Sequence, residues 1–230
     1  MNLKIENGEI VEGLDDFRTR LKDSYMVMMI EALARVSKDY ITYGMSYHVE
    51  RTYVCELYHQ WRKILERSKN NSSQLCLNAE PSKHIQIESH KEIWKFPDMI
   101  LHHSQVDNND NRIACEFKRQ GWSEDGFDKD MKTLNYLLTR ASDDSRLKYN
   151  FKWGVFVQIG GTIENIRNYV RHHSFNENIW CIVVDNEATQ LTIQSIGDLM
   201  SYDKCDKCGD ILPDSANFCP KCGESVKGKR

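Results

Sequence analysis

Two stretches decide the fold of this chain: PDMILH at residues 97–102 and RIACEFK at residues 112–118. Both are apolar along most of their length, which is typical of strands buried in a β-sheet. The first supplies the carboxylate of Asp98, and the second supplies the carboxylate of Glu116 and the amine of Lys118. Because side chains alternate along a strand, Glu116 and Lys118 leave the same face. The pattern predicts two adjacent strands that bring two carboxylates and one amine together.

Two carboxylates and an amine are the minimum set for holding a divalent cation and directing a water molecule at a phosphodiester. Mg²⁺ prefers oxygen ligands and is commonly bound by one or two carboxylates together with water and substrate phosphate. Charged groups in a buried strand are costly unless they are paired or bound to a metal. The residues therefore predict a functional site, and the alternative is an ion pair at the end of a strand.

Apolar residues recur at regular spacing on both sides of these strands. The spacing predicts helices over residues 15–38, 50–67, 125–140 and 162–172, and further strands over residues 84–88, 151–159 and 180–184. Residues 68–80 are rich in Asn and Ser and predict a loop. The order of helices, three strands, helix, strand, helix and strand predicts an α/β fold in which helices flank a mixed β-sheet.

This order of elements resembles the PD-(D/E)XK nuclease superfamily, whose core is restriction-endonuclease-like. The resemblance extends over about residues 50–185, and its motif is carried by Pro97-Asp98 and Glu116-Phe117-Lys118. It implies that Asp98 and Glu116 bind a catalytic Mg²⁺ or Mn²⁺, with the backbone carbonyl of Phe117 as a further contact. It also implies that Lys118 positions or activates the attacking water and stabilises developing charge.

Two positions on the neighbouring helices bear on this resemblance. Members of the superfamily often carry another catalytic acid on the preceding helix, and Glu56 is the match here because it flanks the apolar face; a solvated glutamate is the alternative. One branch has Gln-x-x-x-Tyr on the following helix. This chain has Lys132 and Tyr136 at that spacing, so it departs from that branch. Lys132 is then either a phosphate contact or an exposed lysine.

The C-terminal segment carries a second metal signature. Its four cysteines form two Cys-x-x-Cys pairs, each followed by glycine, and they supply four thiolates for one tetrahedral Zn²⁺: Cys205, Cys208, Cys219 and Cys222. The segment resembles a zinc ribbon. So small a segment has little core without metal, so the zinc is expected to be structural. We therefore expect a nuclease-like domain over residues 1–202 and a zinc ribbon with a basic tail over residues 203–230.

Composition limits the function classes. The 230 residues are 40% hydrophobic and 28% charged, no apolar run approaches about 18 residues, and residues 1–6 lack the apolar core of a signal peptide. We expect a cytoplasmic chain with no membrane partner. The net charge of −3 means that DNA binding depends on a local surface.

The leading hypothesis from these residues is a metal-dependent deoxyribonuclease, with DNA as partner and RNA left open. The alternative is a catalytically inactive nuclease-fold module that binds nucleic acid or protein. In either case the ribbon is available to dock a substrate or a protein partner.

Overall fold

The structure is a computed structural model. It describes residues 1–42, 49–68, 75–79, 97–103, 111–138, 150–170, 173–200, 205, 207–208, 212 and 217–225. The elements in chain order are β1 (Asn2–Glu6), β2 (Glu9–Glu12), α1 (Leu14–Leu21), α2 (Ser24–Ala34), α3 (Asp39–Thr42), α4 (Val49–Arg67), β3 (Leu75–Ala79), β4 (Met99–His103), β5 (Ile113–Arg119), α5 (Glu124–Leu138), β6 (Trp153–Ile159), α6 (Ile163–Val170), β7 (Ile179–Val184), β8 (Gln190–Ser195) and α7 (Ile196–Met200).

The described strands form one mixed sheet of eight strands in the order β2-β1-β8-β7-β6-β5-β4-β3. The neighbours β5/β6 and β6/β7 are parallel, and the other pairs are antiparallel. α5 connects β5 to β6 and α6 connects β6 to β7, as parallel neighbours require. The expected α/β fold, with helices flanking a mixed sheet, is confirmed.

The core has two layers, one on each face of the sheet. Helices α1, α2 and α4 bury their apolar sides on one face, and α5, α6 and α7 bury theirs on the other. Successive side chains of β5 point to opposite faces of the sheet: Ile113, Cys115 and Phe117 belong to the first layer, and Ala114 belongs to the second. Glu116 and Lys118 therefore point toward the α5 side.

The prediction of a single helix over residues 15–38 is wrong, because the structure has two helices there, α1 and α2. The chain breaks at Lys22, whose φ of 52° is left-handed, and Asp23 then begins α2. The carboxylate of Asp23 accepts hydrogen bonds from the backbone N–H groups of Tyr25 and Met26 at 3.1 and 3.2 Å. An N-cap of this kind satisfies the free donors of a new helix, so it favours two helices over one continuous helix.

The prediction of a loop over residues 68–80 is also wrong in part, because β3 occupies Leu75–Ala79 and pairs with β4 at the edge of the sheet. A five-residue edge strand gives little periodic signal, and its pairing is decided by tertiary contacts. The strand expected over residues 84–88 lies outside the described residues. The helices expected over residues 50–67, 125–140 and 162–172 are confirmed as α4, α5 and α6 within the described positions.

The remaining strands near the centre of the sheet agree with expectation. β4, β5, β6 and β7 coincide with the four buried runs predicted from the sequence. All six residues of β7 are buried, which explains its uninterrupted apolar sequence. In the described part of the chain, no helix combines the length and the apolar character needed to cross a membrane.

Candidate functional site

The pairing of β4 with β5 brings the two predicted carboxylates together. Met99 is opposite Cys115, and the same register places Asp98 beside Glu116. The backbone N–H of Phe117 donates to Asp98 Oδ2 at 2.8 Å, which fixes the aspartate at the start of β4. Asp98 is close enough to Glu116 for its charge and a hydrogen bond to contribute to the raised pKa of the Glu116 carboxyl group. Asp98 is half-buried and Glu116 is 4% exposed.

Lys118 lies on the same face as Glu116 and is held by carboxylates from two helices. Its Nζ is 3.0 Å from Asp130 Oδ2 on α5 and 4.0 Å from Glu50 Oε1 on α4. The other oxygen of Glu50 accepts a hydrogen bond from the backbone N–H of Arg119 at 3.2 Å. Glu50, Asp98, Glu116, Lys118 and Asp130 are called the strand site below.

The strand site carries four carboxyl groups and one ammonium group. Burial, followed by the charges of Asp98 and Asp130, raises the pKa of Glu116 well above its ordinary value. Burial also raises the pKa values of Glu50 and Asp130, although Lys118 opposes both shifts. These shifts are what burial of several neighbouring carboxyl groups produces. A cation would be stabilised there.

For Lys118, the neighbouring groups favour the charged form. Burial lowers its pKa, but the hydrogen bond and charge of Asp130 and the charges of Glu50 and Asp98 outweigh burial and raise it. The ammonium group is therefore held in its charged form and in a fixed position by its neighbours.

Of the four predicted catalytic residues, Asp98, Glu116 and Lys118 are brought together, and Glu56 is placed elsewhere. Glu56 Oε1 accepts a hydrogen bond from Gln60 Nε2 at 2.6 Å on α4. Glu56 lies six positions after Glu50, so the two side chains point about 120° apart around the axis of α4. Glu50 is therefore the α4 carboxylate that lies beside Lys118.

The sequence places Asp130 on the helix after the motif, where relatives often have active-site contacts, but assigns it no role, and it does not single out Glu50. A signal for Asp130 exists, because it interrupts the apolar stripe of α5 between Phe127, Met131 and Leu134 and is itself only 4% exposed. A carboxylate on a buried stripe requires a partner, and here the partner is Lys118. Glu50 has no such signal, because it lies in the first turn of α4 and only the helix position relative to β5 brings it to the site.

A fully buried amide supports the strand site from the neighbouring strand. Gln158 is opposite Lys118 in the parallel register of β5 and β6. Its Oε1 accepts a hydrogen bond from Trp122 Nε1 at 2.8 Å, and its Nε2 donates to the carbonyl of Gly160 at 2.8 Å. The turn after β6 favours glycine, because Gly160 has a φ of +79°, a left-handed conformation that other residues rarely adopt. The amide thus ties the turns after β5 and β6 together beside Lys118.

The predicted zinc ligands also come together. All four thiol sulfurs lie within 4.8 Å of one another, with Sγ–Sγ distances of 3.4 Å for Cys205–Cys222 and 3.6 Å for Cys208–Cys219. Tetrahedral Zn–S bonds of about 2.3 Å place sulfurs about 3.8 Å apart, so the spacing fits one Zn²⁺. None of the eight cysteines is in a disulfide. The cluster supports a structural Zn²⁺.

The local backbone lowers the pKa of one of these thiols, that of Cys219. Burial raises the pKa of Cys219, but hydrogen bonds from the backbone N–H groups of Cys222 and Lys221 and from neighbouring thiols lower it to about 7. The turn is closed by a hydrogen bond from Gly223 N to the carbonyl of Cys219, and Gly223 has a φ of +72° that favours glycine. Phe218 and Ser225 form an antiparallel bridge across the turn.

The two candidate metal sites differ in how many ligands they offer. Among the described residues, the four cysteines are the one place where three or more ligand atoms of His, Cys, Asp or Glu all lie within 4.8 Å. The strand site instead offers the pair Asp98 and Glu116. A pair leaves coordination positions for water and substrate, which suits Mg²⁺.

Comparison with known proteins identifies the C-terminal segment. A family model described as a zinc-ribbon domain matches residues 204–226, which confirms the zinc ribbon predicted from the cysteine spacing. This match covers about a tenth of the chain. No curated protein and no solved structure matches the chain significantly.

Proposed function

We propose that this chain is a metal-dependent deoxyribonuclease of the PD-(D/E)XK type that hydrolyses phosphodiester bonds in DNA. The observation that carries the proposal is the strand site. Asp98 and Glu116 lie side by side on β4 and β5, and Lys118 lies on the same face two residues further along. These are the three groups that the resemblance to the superfamily assigns to metal binding and water positioning.

The order of elements around the site supports the same proposal. The resemblance rests on a helix, three strands, a helix and a strand, with the motif on the second and third strands. The described chain has α4, β3, β4, β5, α5 and β6 in that order, with β3, β4 and β5 antiparallel and β6 parallel to β5. Among the described residues, the carboxylates lie on the neighbouring antiparallel strands β4 and β5; β3 lies where a loop was expected, and the first strand of the expected series, residues 84–88, is outside the described residues.

The residues present fit Mg²⁺ or Mn²⁺. Asp98 and Glu116 supply hard oxygen ligands, the backbone carbonyl of Phe117 lies between Glu116 and Lys118 in the sequence, and burial together with the charges of Asp98 and Asp130 raises the pKa of Glu116. When bound, such a metal lowers the pKa of its water and stabilises charge on the phosphate. Asp98 and Glu116 would hold the cation, and the cation would supply the activated water.

In this proposal Lys118 contributes a fixed positive charge beside the scissile phosphate. Its ammonium group is 26% exposed and is oriented by Asp130 at 3.0 Å, while Glu50 lies at 4.0 Å. A donor fixed before the reaction stabilises the developing negative charge without a reorganisation cost. Asp130 and Glu50 act through Lys118, so they are positioning residues.

The proposal is tested by incubating the purified chain with supercoiled, linear and single-stranded DNA, and with RNA, in Mg²⁺ or Mn²⁺. We expect cleavage of DNA, and a fall of about 1,000-fold for Lys118→Ala because one preorganised charge is lost. The matched control is Lys129→Ala, which removes an exposed lysine of α5. Equal cleavage by wild type and Lys118→Ala would refute the assignment, and cleavage of RNA alone would change the substrate.

The second candidate is a catalytically inactive nuclease-fold module that uses the ribbon for docking. It is favoured by the net charge of −3 and by Phe218, which is 57% exposed on the ribbon and so is available to a nucleic-acid or protein partner. Isothermal titration distinguishes the two. The nuclease requires uptake of Mg²⁺ or Mn²⁺ that is lost in Asp98→Asn, whereas the binding module requires neither uptake nor cleavage.

A further inference from the structure

A cleft of about 630 Å³ lies between α1, α2 and the last turn of α4. Its volume falls in the range of about 300–1,000 Å³ that small-molecule sites occupy. Val27, Met28 and Ile64 give it an apolar lining, and Val27 and Ile64 are each only 9% exposed. Lys22, Arg35 and Arg67 add exposed cationic groups to the lining. We call this feature the basic cleft.

The two acidic groups of the basic cleft are each paired: Asp23 with residues outside the lining, and Glu31 with Arg18, which also lines the cleft. Asp23 accepts hydrogen bonds from Lys152 Nζ at 2.6 Å and from Trp153 Nε1 at 2.9 Å, in addition to its two backbone donors. Glu31 pairs with Arg18 at 3.0 Å. Neither carboxylate is therefore available to balance the other cations of the cleft.

The three remaining cations have no carboxylate partner within the part of the chain that the structure describes. Lys22 is the C-cap of α1, Arg35 is the C-cap of α2 and Arg67 is the last residue of α4. The partial negative charge at a helix C-terminus stabilises a nearby cation, so three helix ends can gather positive charge without acidic side chains. The helix ends offset part of this charge, but the lining still carries four cationic side chains against two acidic ones, on a chain whose net charge is −3.

We propose that the basic cleft binds a small organic anion that has an apolar body and a multiply charged phosphate group, with a nucleoside triphosphate as its representative. The apolar lining buries the body, and the unbranched Met28 adapts its shape to it. Lys22, Arg35 and Arg67 contact the phosphates, as guanidinium groups bind phosphate oxygens in bidentate geometry.

The basic cleft is separate from the strand site. Glu50 at the start of α4 lies beside Lys118, whereas Arg67 at the end of α4 lines the cleft. Seventeen residues of α-helix span about 25 Å. The proposal therefore does not rest on the proposed nuclease function, and its test uses no DNA cleavage.

The experiment is isothermal titration of the full chain with ATP, adenosine and tripolyphosphate in buffer without added divalent metal. We expect ATP to bind about tenfold more tightly than adenosine or tripolyphosphate, because only ATP uses both the lining and the cations. The double variant R35Q/R67Q should weaken ATP binding about 100-fold, about tenfold for each charged hydrogen-bonding group lost. Lys118→Ala and the surface control Lys129→Gln should leave the affinity unchanged.

A measurement on the wild-type chain makes the test independent of the folding of the double variant. ATP should protect Arg35 and Arg67 from modification by phenylglyoxal, as measured by mass spectrometry, and should leave the extent of modification of Arg51 unchanged. Absence of ATP binding, or equal binding of ATP and tripolyphosphate, would overturn the proposal. So would a short DNA strand that binds more tightly than ATP and is lost in R35Q/R67Q, because that result would make the cleft a nucleic-acid groove.

Discussion

The zinc ribbon and the strand site both gather groups suited to a metal, but they do so over different distances in the chain. The four cysteines of the ribbon lie between residues 205 and 222, and two tight turns are sufficient to bring them together. The strand site draws on Glu50, Asp98, Glu116, Lys118 and Asp130, which come from two helices and two strands. A local site can be identified from spacing alone, whereas a site built across a sheet depends on register and helix packing.

The largest expected effect is that the zinc ribbon needs its metal to stay folded, whereas the sheet does not. Removal of zinc should unfold residues 217–225 and leave β6 and β7 intact, because structural Zn²⁺ contributes about 10–16 kcal/mol to folding in small zinc domains. Amide NMR signals of both regions, followed as zinc is chelated, provide the measurement.

Matched cysteine variants control this result. Cys219→Ser should lose zinc, and Cys55→Ser, an exposed cysteine outside the ribbon, should retain it at one ion per chain. If the amide signals of β6 and β7 were lost together with those of the ribbon, the two regions would not be independent.

The second prediction concerns the core beneath the strand site. Phe127 is fully buried on α5, and its ring lies 4.6 Å from Phe156 and 4.5 Å from Trp122. Phe127→Ala should lower the free energy of unfolding by about 3–5 kcal/mol, because the substitution removes these contacts and leaves a cavity. Urea denaturation measures this change, and the zinc content should stay the same. Lys129→Ala should change stability by less than about 0.5 kcal/mol.

The third prediction tests whether Asp130 acts through Lys118. Asp130→Asn keeps the shape of the side chain and removes its charge, so Lys118 should lose its fixed orientation and cleavage should fall about 10- to 100-fold. The affinity for Mn²⁺ should change little.

The double variant Asp130→Asn with Lys118→Ala should cleave no more slowly than Lys118→Ala alone, since the two residues act as one unit. Additive losses would show that Asp130 contributes separately and would contradict the positioning role.

The smallest effect distinguishes two glutamates of the same helix. Glu50→Gln should reduce cleavage by several-fold up to about tenfold, because its carboxylate lies 4.0 Å from Lys118 Nζ and accepts from Arg119 N. Glu56→Gln should stay within about twofold, because Glu56 is bonded to Gln60. Single-turnover rates at saturating Mg²⁺ provide the comparison. A larger loss for Glu56→Gln would restore the assignment made from the sequence.

Part of the fold and part of the strand site were predictable from the residues. The buried strands β4, β5, β6 and β7 follow from apolar runs, and Asp98, Glu116 and Lys118 follow from their places on two of them. β1 and β8 did not follow, because each is short and they pair with each other across most of the chain length, with Leu3 opposite Leu191. Asp23 divided an expected helix because its carboxylate caps a new one.

The sequence by itself determined the zinc ribbon, because two Cys-x-x-Cys turns carry their own ligand geometry, and it determined which strands are buried through their apolar runs. Only the tertiary structure decided that Asp130 and Glu50, rather than Glu56, lie at Lys118. The reason is physical. Spacing along a chain fixes which side chains share a turn or a face, whereas contacts between elements depend on strand register and on where each helix packs against the sheet.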